Sequence, residues 1–413
     1  MTMLKYPNIP VSFNLMAKPV GALCNLECNY CYYRGKMCMY EDSPFMMKEN
    51  VLEEYVKQYI NAQASPVVVF NWQGGEPTLA GPAFYDHALY LQKKYAGNKK
   101  IENNIQTNGT LLDESWCRFL KRHSFLVGIS IDGPREIHDY HRRGVGQVGS
   151  WEKVMRGINL LRDYSVPFHT TTVISNHSSR YPVEIYEFLK DLGSSYQQYA
   201  PVVERYLKHK ATIEPELSPP EIRIGAELTN WSVSPEKYGE FLVNIFNEWV
   251  IKDVGKVFVQ LFETTLASWL GEDPGLCLFR KYCGNALMME QNGDVYACDH
   301  YVFPAYLRGN ITREPLMELA LSQEQINFGF NKHKGLPSIC RSCEYLFACH
   351  GECPKNRIST TPEGEYGLNY LCPAFKQYFS HVAPFMDHMA EQIRNGKSPL
   401  SVKRYARKLL SSS

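Results

Sequence analysis

From about residue 11 to 205, short apolar or β-branched runs alternate with longer amphipathic stretches. Strands are predicted at residues 11–17, 67–72, 101–106, 126–131, 168–174 and 196–203. Helical periodicity falls between them at 48–61, 83–95, 113–123, 151–164 and 182–192. Repeated β-then-α units imply a parallel sheet, and six of them imply an open or partial (β/α)6 barrel of TIM type. Chemistry in such folds sits at the carboxyl ends of the strands. The loops there carry Cys24 to Cys31, Gln73-Gly74-Gly75-Glu76-Pro77, Thr107-Asn108-Gly109 and Asp132-Gly133-Pro134. Four loops thus converge on one mouth.

Beyond this half the pattern changes. A polar, proline-containing connection at 208–235 precedes a predicted helix at 235–253, a cysteine-rich region reaches about residue 375, and a basic helical end is predicted at 384–410. The expected division is a barrel over 1–235, a cysteine-rich domain over 236–380 and a basic helical segment over 381–413.

A length of 413 residues with 44% hydrophobic content supports a sizeable core. Lys and Arg (44) balance Asp and Glu (43), so no global charge favours nucleic acid. Pro7, Asn8, Pro10 and Asn14 interrupt any secretory signal, and Leu23 is too bulky for a lipoprotein cleavage site before Cys24. No apolar run approaches the ~18 residues of a membrane span, so a cytoplasmic protein is expected. Thirteen cysteines in that compartment point to metal or redox chemistry rather than disulfides.

Three of them form Cys24-x3-Cys28-x2-Cys31. Structural zinc and electron-transfer 4Fe-4S clusters take four protein ligands, so three leave one iron open to substrate, unless a distant residue completes a zinc site. The spacing resembles the radical S-adenosylmethionine superfamily, in which the open iron chelates S-adenosylmethionine and one electron cleaves it to a 5′-deoxyadenosyl radical. Gly74-Gly75-Glu76-Pro77 is similar to that family's methionine-contacting element, where glycine permits close approach. Ser130, Asp132 and Arg142 stand where ribose or carboxylate would be held.

Eight further cysteines, Cys277, Cys283, Cys298, Cys340, Cys343, Cys349, Cys353 and Cys372, suffice for two more 4Fe-4S clusters or for two zinc sites. Their order resembles the SPASM auxiliary domain, with Gly293 opening its Gly-x4-Cys element. The resemblance implies a crossed pairing: Cys277, Cys283, Cys298 and Cys353 on one cluster, Cys340, Cys343, Cys349 and Cys372 on the other. Cys38 and Cys117 are surplus.

The strings Asn71 to Ala80, Gln106 to Thr110, Ser130 to His138 and Cys298 to Tyr301 resemble anaerobic sulfatase-maturating enzymes over about residues 14–380. Membership would imply oxidation of Cys or Ser in a sulfatase Cys/Ser-x-Pro/Ala-x-Arg motif to Cα-formylglycine, with a flavodoxin or ferredoxin as electron donor. It would place Tyr30, Gly75, Ser130, Arg142 and Val203 on S-adenosylmethionine, although the sequence from Gln198 to Val203 departs from the family pattern. Asp299 would be the general base that takes the substrate proton. The rivals are another radical peptide maturase forming thioether or carbon-carbon links, and a non-catalytic multi-cluster electron carrier.

Overall fold

The computed structural model describes residues 13–40, 45–207, 217–222 and 224–411. The start of the first predicted strand and part of the 208–235 connection lie outside them. Six parallel strands follow one another in chain order: β1 (Asn14–Ala17), β2 (Val67–Trp72), β3 (Lys100–Thr107), β4 (Leu126–Ser130), β5 (Phe168–Ile174) and β6 (Tyr196–Pro201). Parallel neighbours require crossovers. These are α1 (Glu49–Ala62), α2 (Gly81–Tyr95), α3 (Glu114–Arg122), α4 (Arg135–His141), α5 (Trp151–Asp163) and α6 (Pro182–Asp191). The short α4, which helical periodicity does not pick out, shares the β4 crossover with α5.

Local sequence explains these elements. In β2, Val68, Phe70 and Trp72 alternate inward and are almost wholly buried, and α1 presents Leu52, Tyr55, Val56 and Tyr59 to the same core. Asp113 starts α3 by accepting from the Trp116 amide at 2.8 Å. The expected partial barrel is therefore present as an open, predominantly parallel sheet.

The sheet then extends past both predicted edges. A separate hairpin of β7 (Arg205–Leu207) and β8 (Ala226–Leu228) precedes α7 (Pro235–Lys252), which Ser234 caps. β9 (Phe258–Val259) adds to β6 and leads into α8 (Gln260–Leu270). At the opposite edge β10 (Ala286–Met289) pairs parallel with β1, and β11 (Asp294–Tyr296) and β12 (Leu307–Asn310) continue antiparallel. These strands are two to four residues long, too short for alternation to reveal them. The β1–β10 register sets Ala17 beside Met289, and the Lys18 amide donates to the Met289 carbonyl at 2.9 Å. Lys18 and Glu290 consequently lie side by side, both buried, just past the ends of β1 and β10.

The C-terminal reading needs correction. One helix runs from Cys372 through Pro384 to Arg394, and a second covers Val402–Leu410. A proline interior to a helix costs about 3 kcal/mol, which is why it reads as a start. Here the long helix buries Phe375, Tyr378, Phe379, Val382, Phe385 and Met386, and that apolar face outweighs the lost hydrogen bond. Among the described residues no helix is long and apolar enough to cross a membrane.

Candidate active site

Cys24, Cys28 and Cys31 follow β1 and are free, partly exposed thiols. They line a cavity of about 610 Å³, together with Tyr30, Gly75, Ser130, Arg142, Cys298 and Asp299. The loop after β2 is pressed against the cysteine loop. Gly75 donates its amide to the Gly21 carbonyl at 2.7 Å and Glu76 donates to the Leu23 carbonyl at 2.8 Å. A Cβ on Gly75 would stand 2.0 Å from the Leu23 oxygen, so glycine is a steric requirement. The Glu76 carboxylate, fully buried, accepts from the Thr78 amide at 3.0 Å, from the Thr78 and Thr107 hydroxyls at 2.6 Å each, and from the Asn108 amide at 2.7 Å. It locks the second loop to the third. Asn108 reaches onward to Asn25 Oδ1 at 2.9 Å, beside Cys24.

Tyr30, Asp132 and Arg142 form one buried unit. Tyr30 donates its hydroxyl to Asp132, Arg142 Nε lies 3.0 Å from Asp132 Oδ2, and the Val173 amide donates to Oδ1 at 3.0 Å. Asp132 is consequently occupied by protein groups, and it orients Tyr30 and Arg142 rather than facing the cavity with a free carboxylate. Burial pulls His138 down to about 3. The neutral ring accepts from the Asp132 amide at 3.3 Å and donates to Ser150, whose hydroxyl donates to the Arg142 carbonyl at 2.8 Å. Ser130 accepts from Gln106 at 3.0 Å. At the end of β6 it is Val202 that lines the large cavity, whereas Val203 lines a small neighbouring one of about 30 Å³.

Asp299 follows β11 and touches both cavities. Lys18, itself 1% exposed, pairs with its Oδ1 at 2.5 Å, and Tyr32 donates to Oδ2. Burial works against the charge of Asp299, but Lys18, His300 and Tyr32 outweigh it and hold the carboxyl below its ordinary value. Lys18 Nζ also stands 3.1 Å from the centre of the Tyr33 ring, and Tyr33 donates to Glu290. Burial lifts Glu290 to about 7, with Lys18 opposing the shift and Asp299 reinforcing it.

Glu290 gives a pH signature. Between its ordinary value near 4.5 and about 7, the unfolded chain has released this proton while the folded chain keeps it. Stability therefore falls as pH rises through that window, by at most about 3 kcal/mol, and is flat above it. Glu290→Gln should raise the melting temperature relative to the parent at pH 8 and show little gain at pH 5. An equal offset at both values would contradict this.

The distal cysteines fall into two sets. Cys298 lies within electrostatic reach of Cys353 and Cys277, and Cys283 within reach of Cys277. Cys340, Cys343, Cys349 and Cys372 are likewise linked with one another. Each set occupies its own neighbourhood in the fold. Burial pushes Cys24 and Cys28 up to about 12, so thiolates here need a compensating cationic centre. A cubane takes its thiolates on separate irons, so three cysteines in one loop can hold it and leave the fourth iron open.

Comparison with known proteins agrees. The Radical SAM superfamily model matches residues 19–189, and the model of an iron-sulfur cluster-binding domain named SPASM matches 277–344. The chain is 49% identical to the serine-type anaerobic sulfatase-maturating enzyme of Bacteroides thetaiotaomicron, over 94% of each chain. The chain belongs to the anaerobic sulfatase-maturating enzyme family. It is also 31% identical to the cysteine-type enzyme of Clostridium perfringens, over 92% of this chain and 99% of that one. The solved structure of anSMEcpe with bound AdoMet and Cp18Cys peptide superposes with a TM-score of 0.79 at 31% identity, covering 92% and 99% of the two chains.

Within this family fold, sequence reading missed Lys18, Tyr32 as a partner of Asp299, and Glu290. Lys18 looks like any lysine after a strand, and only its burial marks it out. A clue was present in Met289-Glu290, a charge closing an apolar run.

Proposed function

We propose that this chain oxidises a Ser or Cys side chain of a sulfatase, within a Cys/Ser-x-Pro/Ala-x-Arg segment, to Cα-formylglycine. The observation that carries the reading is the position of Asp299, on the wall of the cavity that also holds Cys24, Cys28 and Cys31. With a 4Fe-4S cluster on those three cysteines and S-adenosylmethionine bound, one-electron cleavage supplies a radical able to take a hydrogen atom from the substrate β-carbon.

The protein's residues do the rest. Gly75 gives the methionine end close access to backbone, and Ser130, Tyr30 and Arg142 orient the nucleoside and carboxylate. We extend this contact set to Val202, beside Val203. Loss of the β-hydrogen acidifies the substrate hydroxyl or thiol, and Asp299, ionised at rest because Lys18 faces it, receives that proton. Cys298, the preceding residue, would hold an auxiliary cluster with Cys277, Cys283 and Cys353, which would supply an acceptor for the second electron. A serine substrate then gives the aldehyde directly, whereas a cysteine substrate gives a thioaldehyde that water hydrolyses with release of hydrogen sulfide. Cys340, Cys343, Cys349 and Cys372 would hold the third cluster. In this reading residues 1–235 serve radical generation, 236–380 electron removal and 381–413 the closing helical segment, with a flavodoxin or ferredoxin as external donor.

The test is direct. The reduced, cluster-loaded protein, given S-adenosylmethionine and a peptide carrying the motif, should yield 5′-deoxyadenosine and a peptide aldehyde trapped by a hydrazine reagent in mass spectrometry. Deoxyadenosine without aldehyde would move the chain to another peptide modification. Absence of both would remove the catalytic reading.

A further inference from the structure

Cys349 and Cys353 belong to different auxiliary sets, yet only His350, Gly351 and Glu352 separate them. All three residues have left-handed backbone, with φ of 45°, 70° and 48°. Two of them are not glycine, and such a run is strained unless its surroundings enforce it. Arg357 supplies the enforcement. Its Nε donates to the Gly351 carbonyl at 3.0 Å, and its Nη2 donates to the His350 carbonyl at 2.9 Å and, more weakly, to the Glu352 carbonyl at 3.4 Å. Its Nη1 donates to the Lys332 carbonyl at 2.5 Å.

Arg357 is 7% exposed, and the hydrogen bonds of its guanidinium go to backbone carbonyls rather than to a carboxylate. The nearby Glu352 side chain is engaged instead by Asn369 at 2.6 Å and Asn356 at 3.1 Å. The positive charge of Arg357 acts on the groups around it, which include Cys353 of one set, Cys340 and Cys349 of the other, and the Glu352 carboxylate. Lys332 adds a second buried cation on one side only. Its Nζ donates to the Cys277 and Leu278 carbonyls at 2.7 and 2.6 Å.

We propose that Arg357 is a positioning residue for electron removal, clamping the three-residue bridge that fixes one auxiliary cluster relative to the other and supplying a positive charge shared by both. The inference rests on the reading that Cys349 and Cys353 ligate different clusters. A planar fork is required, because an ammonium group cannot hold the diverging carbonyls in the same way.

The experiment uses full-length protein, anaerobically reconstituted, as parent, Arg357→Gln and Arg357→Lys. Iron and sulfide are measured first, and about four irons in the parent instead of about twelve would sink the three-cluster reading itself before any variant is compared. With clusters loaded, Arg357→Gln should move both auxiliary midpoints to more negative potential in an EPR-monitored redox titration, leaving the Cys24–Cys28–Cys31 cluster unmoved. Arg357→Lys should keep those midpoints while amide hydrogen exchange at 350–353 speeds up at least ten-fold. Unmoved auxiliary midpoints in the Gln variant, or parental exchange in the Lys variant, overturns the proposal. Should the Gln variant fail to load its clusters, the Lys variant decides alone: faster exchange at the bridge supports the clamp and parental exchange overturns it.

Discussion

Asp299→Asn should cleave S-adenosylmethionine at close to the parental rate while peptide aldehyde falls by about 10²–10⁴-fold, the usual contribution of a positioned general base. Asparagine preserves shape and can still accept from Tyr32, so the cavity wall stays in place. It cannot take up the substrate proton. The concern with this variant is Lys18, buried at 1% exposure and deprived of its carboxylate partner, since an unpaired buried charge is strongly destabilising. Glu290 answers it. Asp299 is one of the groups that push Glu290 upward, whereas Lys18 pulls it down. Removing Asp299 lets Glu290 ionise and take over as the counter-charge, so the fold survives. The measurement compares 5′-deoxyadenosine with aldehyde in one reaction. Parallel loss of both would mean that Asp299 supports the first cluster instead of the proton transfer, and full product would exclude it from the mechanism.

Gly75→Ala should abolish most turnover for a different reason. The added Cβ would meet the Leu23 oxygen at 2.0 Å, the Leu23 carbonyl carbon at 2.4 Å and the Ala22 oxygen at 2.6 Å. All three are backbone atoms immediately before Cys24, so no side chain can swing aside. Either the cysteine loop or the loop after β2 must retreat by about 1 Å, and a misplacement of about 1 Å can cost about 10²-fold in rate. The expected result is a ~10²-fold loss of 5′-deoxyadenosine formation with the auxiliary cysteines still loaded, read by iron analysis and EPR. Gly35→Ala is the control, because a Cβ there meets nothing within 4 Å. Parental cleavage by Gly75→Ala would show that the close approach of the two loops is not needed for cofactor binding.

Much of this site was legible in the chain because its parts are local. A cysteine loop needs only its own spacing, and a Gly-Gly-Glu-Pro turn after an apolar run needs only the strand before it. Glu76 illustrates the boundary. Its place in that string is visible, but its two hydrogen bonds to the third loop are not, since Thr107 and Asn108 lie some thirty residues on. By sequence Asp132 stands where it would face the ligand, whereas in the fold Tyr30, Arg142 and the Val173 amide occupy it. The Cys372–Arg394 helix shows in sequence only from Pro384 onward because a proline's local penalty is plain there, and the apolar contacts that exceed it come from distant segments.

By itself the sequence determined the β/α repeats, the loops that bear the chemistry and the cysteine inventory, all set by periodicity or short spacing. The tertiary structure decided how the two halves meet. A four-residue strand, β10, pairs with β1 across some 270 residues and brings the buried Lys18 and Glu290 together beside Asp299, which lines the cavity where Cys24, Cys28 and Cys31 stand. Neither strand is long enough to announce that pairing. It is fixed by the burial of Leu15, Ala17, Leu287 and Met289 in one shared core, a property of the folded chain that no local window contains.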